Sequence, residues 1–158
     1  MIEFTREQFE DIKQRGVSHY KIIGEVYCPF LKDKVAFNAH GLEHLKFKRR
    51  EKTRPEQDQY MRFKLIHLAP EVLRSSHTVQ GVLETKVFER IRMSSRTERI
   101  LKPVIYHEFV AVIKGNRVRV IVKQIDGGKK FFWSIIPFWG MNIDTMTRLL
   151  HDGVPEED

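Results

Sequence analysis

Arg117, Arg119 and Lys123 alternate along a run that continues past a glycine pair to Ser134, RVRVIVKQIDGGKKFFWSIIP. Side chains two apart on a strand share a face, so a tight turn at Gly127-Gly128 would gather these cations and the hydroxyl on one side, with Ile121 among them and Phe132 opposite Lys123. Such a face suits a phosphate-bearing ligand, because fixed cations and a hydroxyl donor match its oxygens. A second turn signal, Gly115-Asn116 in HEFVAVIKGNRVRV, brings Glu108 opposite Lys123. That carboxylate is either a proton-transfer group beside the phosphate or half of a cross-strand ion pair on a solvated face.

Histidine is the side chain best suited to proton transfer near neutral pH, and His44 has the best company of the seven. It stands four residues after His40 in NAHGLEHLKFKRR, on the same helix face, and directly precedes a basic stretch. Residues 40–44 also fit the H-x-x-E-H metalloprotease pattern, with Glu43 in the acidic place. Gly41 weakens the helix that would carry both ligands and no third ligand is evident, so no metal site is assigned and no cofactor is expected. His44 is the candidate general acid or base; a histidine hydrogen-bonded at a helix end is the competing role, above all for His40.

The stretch KFKRREKTR places Lys46, Lys48, Arg49, Arg50, Lys52 and Arg54 against one acid. It attracts polyanions, of which nucleic acid is the commonest, or else forms a solvated loop. Arg62, in the helix predicted after Pro55, borders the cationic face if that helix turns it inward. Arg119 and Phe132 on the strands complete a nucleic-acid surface, Phe132 by stacking on a base.

The elements that must position these residues are legible from pattern. The chain has 158 residues, 41% hydrophobic and 31% charged, which fits one domain over residues 1–151 with an acidic tail at 152–158. Net charge is +7, and +11 without the tail. No apolar run approaches the ~18 residues that span a bilayer, and MIEFTREQFEDIK lacks a signal core, so the expectation is a cytoplasmic protein with no membrane partner. Cys28 stands alone, excluding an internal disulfide and a cysteine-based zinc cluster; in YCPF it reads as a small buried hydrophobe.

Thr5 and Gln8 cap a first helix, with Phe4 and Phe9 as its staple and Gly16 as its end. HYKIIGEVY predicts a strand over 19–27, and VAFN a second. Helices follow over about 40–50 and from Pro55 to about Leu68, then a turn or two in EVLRSS. VLETKVFERIRM predicts a strand and SSRTER a loop. Three strong strands run from Pro103 to Trp139, before a final helix starting near Asn142 or Asp144. The fold class is α+β: N-terminal helices packed on one face of a roughly four-stranded antiparallel sheet, whose cationic face stays open.

Together GEVYCPFLKDKVAFNAHGLEHL, the basic run, RFKLIHLAPEVL and VRVIVKQIDGGKKFFWSIIP, spanning roughly residues 16–137, resemble the phage-associated nuclease-like families of the barnase, EndoU, colicin and RelE superfamily. The resemblance implies helices on a four-stranded sheet and metal-independent RNA cleavage, in which the ribose 2′-OH attacks the adjacent phosphate. Carried over by position, His44 would act as acid or base, Lys123 and Arg62 would hold phosphate, and Ser134 would orient it. An RNA substrate and an antitoxin or immunity protein are the implied partners. A non-catalytic RNA-binding module and a phage or mobile-element interaction protein are the competing functions; the sequence does not specify an oligomeric state.

Overall fold

A computed structural model describes residues 3–49, 52–94, 96–137, 141–142 and 147–148. Thr5 starts helix α1 (Arg6–Ile23) through a full capping box, its Oγ1 accepting from the Gln8 N–H while the Gln8 side chain accepts from the Thr5 N–H. Phe4 and Phe9 stack across the cap at 5.7 Å. The helix runs through Gly16 and ends at Gly24, whose φ is 72°, so residues 19–23 are helical and not extended as expected. Gly16 is instead a crossing point: a Cβ there would meet Phe63 at 2.8 Å, and contact with this second helix overrides the local stop signal.

An early antiparallel pair, β1 (Glu25–Cys28) and β2 (Asp33–Ala36), leads to α2 (Ala39–Lys46), capped by Asn38. The basic run does not prolong α2. It folds into a short hairpin of β3 (Phe47–Arg49) and β4 (Lys52–Thr53), which spares these like charges the one-turn spacing of a helix. Pro55 precedes α3 (Glu56–Leu65), and a single 3₁₀ turn, Ile66–Leu68, leads into α4 (Ala69–Ser75).

Four long strands follow, β5 (Gly81–Met93), β6 (Arg96–Ile113), β7 (Asn116–Ile125) and β8 (Lys130–Pro137). The early pair joins them through one parallel bridge, Ala36 to Phe131, giving a six-stranded sheet of order β1-β2-β8-β7-β6-β5. The α+β class therefore holds with two strands more than expected. SSRTER is largely strand, since β5 and β6 stay paired out to Met93 and Arg96. Where a final helix was expected, Met141–Asn142 (β9) and Thr147–Arg148 (β10) pair antiparallel, and the rest of that segment, like the acidic tail, lies outside the described residues.

Both hairpin turns form one residue earlier than their glycine signals suggested, at Asp126-Gly127 and Lys114-Gly115, each with two positive φ angles. Upstream, the ladder then pairs Glu108 with Ile121 and Tyr106 with Lys123. A slip of two residues keeps every side chain on its expected face but separates Glu108 from the position opposite Lys123. Downstream, a bulge between Ile121 and Val122 restores the expected pairing of Ile121 with Ser134. It also turns Phe132 to the helix side, where the ring is fully buried against Tyr20 and Phe37; Phe132 is a core residue and cannot stack on a base.

The helices cover one sheet face, with Tyr20, Leu45, Phe63 and Leu73 packed on Val118, Val120, Val122 and Phe132. The opposite face is not open. Val104, Tyr106, Ile121 and Ile136 form a second buried cluster there, joined by Val87 and Trp133. Arg119, Lys123 and Ser134 lie on that face at 5%, 9% and 0% exposure, because the apolar residues alternating with them demand cover of their own.

Candidate functional site

Gly41 controls how the site is built. A Cβ at this position would lie 2.4 Å from the Phe132 carbonyl oxygen and from the Tyr20 hydroxyl, so α2 rests directly on the β8 backbone. The Tyr20 hydroxyl also donates to the Asn38 carbonyl at 2.6 Å, holding the start of the helix. Three residues beyond Gly41, His44 lands flat on Trp133, the rings 3.9 Å apart and 18° from parallel. Because β2 bridges β8 only at Phe131, α2 and α3 pack against β8 beyond that point.

From α3 and the residue pair before it come Arg54, Asp58 and Arg62, four apart and so on one side. The Asp58 carboxylate bridges the two arginines, 3.3 Å from Arg54 Nη1 and 2.6 Å from Arg62 Nε. Arg62 then donates from Nη1 to the Ser134 hydroxyl, tying the helix to β8. Arg54 donates from Nε to the His44 carbonyl at 2.8 Å, and its Nη2 lies 2.9 Å from His44 Nε2. Gln59 holds the Arg54 backbone through its own amide, at 2.8 Å. From the sheet side, Lys123 Nζ sits 3.9 Å from the centre of the Trp133 ring and 5.4 Å from that of Tyr106.

The hydrogen bonding sets the state of His44. A guanidinium can only donate, so Nε2 must accept and the ring proton resides on Nδ1. Burial, followed by the positive charges of Arg54, Arg62 and Lys123, drives the imidazole far below its ordinary pKa, and His44 is neutral. For Asp58, burial works upward, but the Arg62 and Arg54 guanidiniums outweigh it and hold the carboxyl below the usual range. Three cations and one carboxylate thus meet within a region where His44, Arg54, Arg62 and Ser134 are at most 4% exposed. In such a low-dielectric setting the field of the cations is strong, and an entering anion is attracted far more than at a wet surface.

Of the residues expected at the site, His44, Lys123, Arg62 and Ser134 are brought together. Glu108 does not stand opposite Lys123 as expected: its ladder partner is Ile121, and its carboxylate makes a cross-strand ion pair with Arg119 Nε at 3.0 Å. The same pairing and its burial take Arg119 out of any nucleic-acid surface. Arg54 leaves the basic surface for the interior, at 2% exposure, while Lys46 and Lys48 are half-buried and Lys52 is exposed. The Arg49 side chain and Arg50 lie outside the described residues. His40 is exposed beside Phe131.

No protein-family model matches the chain, and no curated protein or solved structure matches it at a significant level. Two members escaped the sequence reading. Asp58 had a visible signal, the R-x-x-x-D-x-x-x-R spacing of residues 54–62. Trp133 had none, since its face depends on the β8 bulge. Among the described residues no group of three or more His, Cys, Asp or Glu could hold a metal ion. Chemically the cluster brings a guanidinium, an ammonium and a hydroxyl, groups that match the oxygens of an anion, close to a neutral imidazole.

Proposed function

We propose that this chain is a metal-independent, RNA-cleaving protein with a barnase/EndoU/colicin/RelE-like arrangement, and that the scissile phosphate binds among Arg62, Lys123 and Ser134 next to His44. The observation that supports it most is the convergence of α2, α3, β7 and β8 around Trp133: His44 stacks on one ring that Lys123 also overlies, and Arg62 of α3 reaches Ser134. In this reading the phosphate offsets the cationic field and lifts the His44 pKa. Once Nε2 is released from Arg54, the imidazole takes the proton of the 2′-OH there as that oxygen bonds to phosphorus, and the imidazolium returns a proton to the departing 5′-oxygen as its bond to phosphorus breaks. Lys123 and Arg62 stabilise charge gathering on the phosphoryl oxygens. With Lys123 only 9% exposed, entry of the phosphate requires an opening step, and such gating is often slower than the chemistry it permits.

The engagement of His44 Nε2 by Arg54 favours a second reading, in which the cluster grips RNA phosphates without cleaving. Incubation with mixed RNA in EDTA separates the two. The nuclease predicts fragments with 2′,3′-cyclic phosphate ends, lost by about 10²-fold or more in His44→Ala and also in Lys123→Met, with folding checked by circular dichroism. Salt-sensitive binding without fragments leaves the binding module, and absence of both rejects an RNA role for the site.

A further inference from the structure

Beyond the site, β5 and β6 form an arm. Residues 96–103 of β6 pair with β5 alone, since β7 joins only from Val104 onward. The register pairs Lys86 with Pro103, Phe88 with Leu101, Arg90 with Arg99 and Arg92 with Thr97. These eight residues share one face of the ribbon. It carries four cations and no acid, whereas Glu98 lies on the reverse face and pairs with Arg96 at 2.6 Å. Phe88 is 66% exposed and Leu101 46%, with the Arg99 guanidinium 5.4 Å from the centre of the Phe88 ring.

Cations on an outermost strand also discourage edge-to-edge pairing, which would account for Lys86, Arg90 and Arg92. The same edge argument covers Arg99, since β6 has no second neighbour there, but it does not account for a phenylalanine left two-thirds bare between these cations. We propose that this face binds single-stranded RNA, with Lys86, Arg90, Arg92 and Arg99 holding phosphates and Phe88 stacking on a base. Along β5 the order is cation, aromatic, cation, cation at two-residue steps of ~6.7 Å, a periodicity that follows an extended polynucleotide backbone. Alternating positive charge and an exposed ring is the combination that single-stranded nucleic acid selects with little regard to sequence. The proposal rests on the RNA reading of the chain but uses none of the residues around Trp133.

The test is equilibrium binding of a labelled 12-nucleotide single-stranded RNA to the full chain across a salt series. Arg90→Ala/Arg92→Ala should flatten the slope of log affinity against log salt by about 1.4, two phosphate contacts at ~0.7 each. Phe88→Ala should weaken binding by about 5- to 150-fold. A charge-matched control on exposed lysines elsewhere, Lys21→Ala/Lys34→Ala, should leave the slope as it was. Arm-dependent binding without cleavage would support the arm and reject the nuclease. Cleavage with affinity indifferent to the arm variants would overturn the arm and spare the nuclease. Retention on anionic lipid vesicles without RNA affinity would overturn it in favour of a membrane surface.

Discussion

His44 couples the chemistry of the site to the stability of the fold. In the unfolded chain its imidazole binds a proton near pH ~6.5, whereas in the fold it stays neutral well below that value. The unfolded state therefore takes up more protons as the solution is acidified, and the contribution of neutral His44 is present above pH ~6.5 and lost below it, by up to about 1.4 kcal/mol per pH unit. His107, also shifted down by burial and then by Lys130, acts in the same direction, so the difference between wild type and His44→Gln isolates the share of His44. Thermal melts between pH 7 and 5 should fall more steeply for wild type than for that variant. Imidazole NMR should place the proton on Nδ1, and added inorganic phosphate should move the titration upward. Asp58 makes the complementary case. Asp58→Asn removes the carboxylate that both Arg54 and Arg62 share, and should cost about 3–5 kcal/mol by chemical denaturation. Phosphate should recover part of that loss, since it supplies the missing negative charge.

At the level of elements, the docking of α2 on β8 decides where His44 sits. Gly41→Ala puts a methyl group against the Phe132 carbonyl, a backbone atom that cannot swing aside. The expected cost is about 1–3 kcal/mol, read as a lower Tm, with weaker anion binding because His44 is pushed off Trp133. Phe132→Ala should destabilise by about 3–5 kcal/mol as a pure core truncation, which a base-stacking surface residue would not do. The two hairpins explain why the faces were legible and the partners were not. Alternation assigned Lys123, Ser134, Arg119 and Glu108 to one side from sequence, because parity survives a two-residue slip. The neighbour of Glu108 depended on which residues made the turn, and both turns use positive φ at a non-glycine residue, Lys114 and Asp126, that no glycine count anticipates.

For the whole molecule, the basic balance and the two separate cationic features make one further expectation. If the four arm cations all contact phosphate, RNA affinity of the intact chain should fall with salt at a slope of about −3, before any contribution from the interior cluster. The sequence alone determined the capped start of α1, the α+β class and the side of the sheet on which Glu108, Arg119, Lys123 and Ser134 lie, because capping and alternation act over a few neighbouring residues. Only the tertiary structure decided that α1 continues through Gly16, that Phe132 and Trp133 exchange faces at a bulge, and that the cationic face is buried. It also decided that Arg54 and Asp58 join His44. Those outcomes depend on which distant surface each segment meets, and burial against a partner outweighs the weak local preference of any single residue.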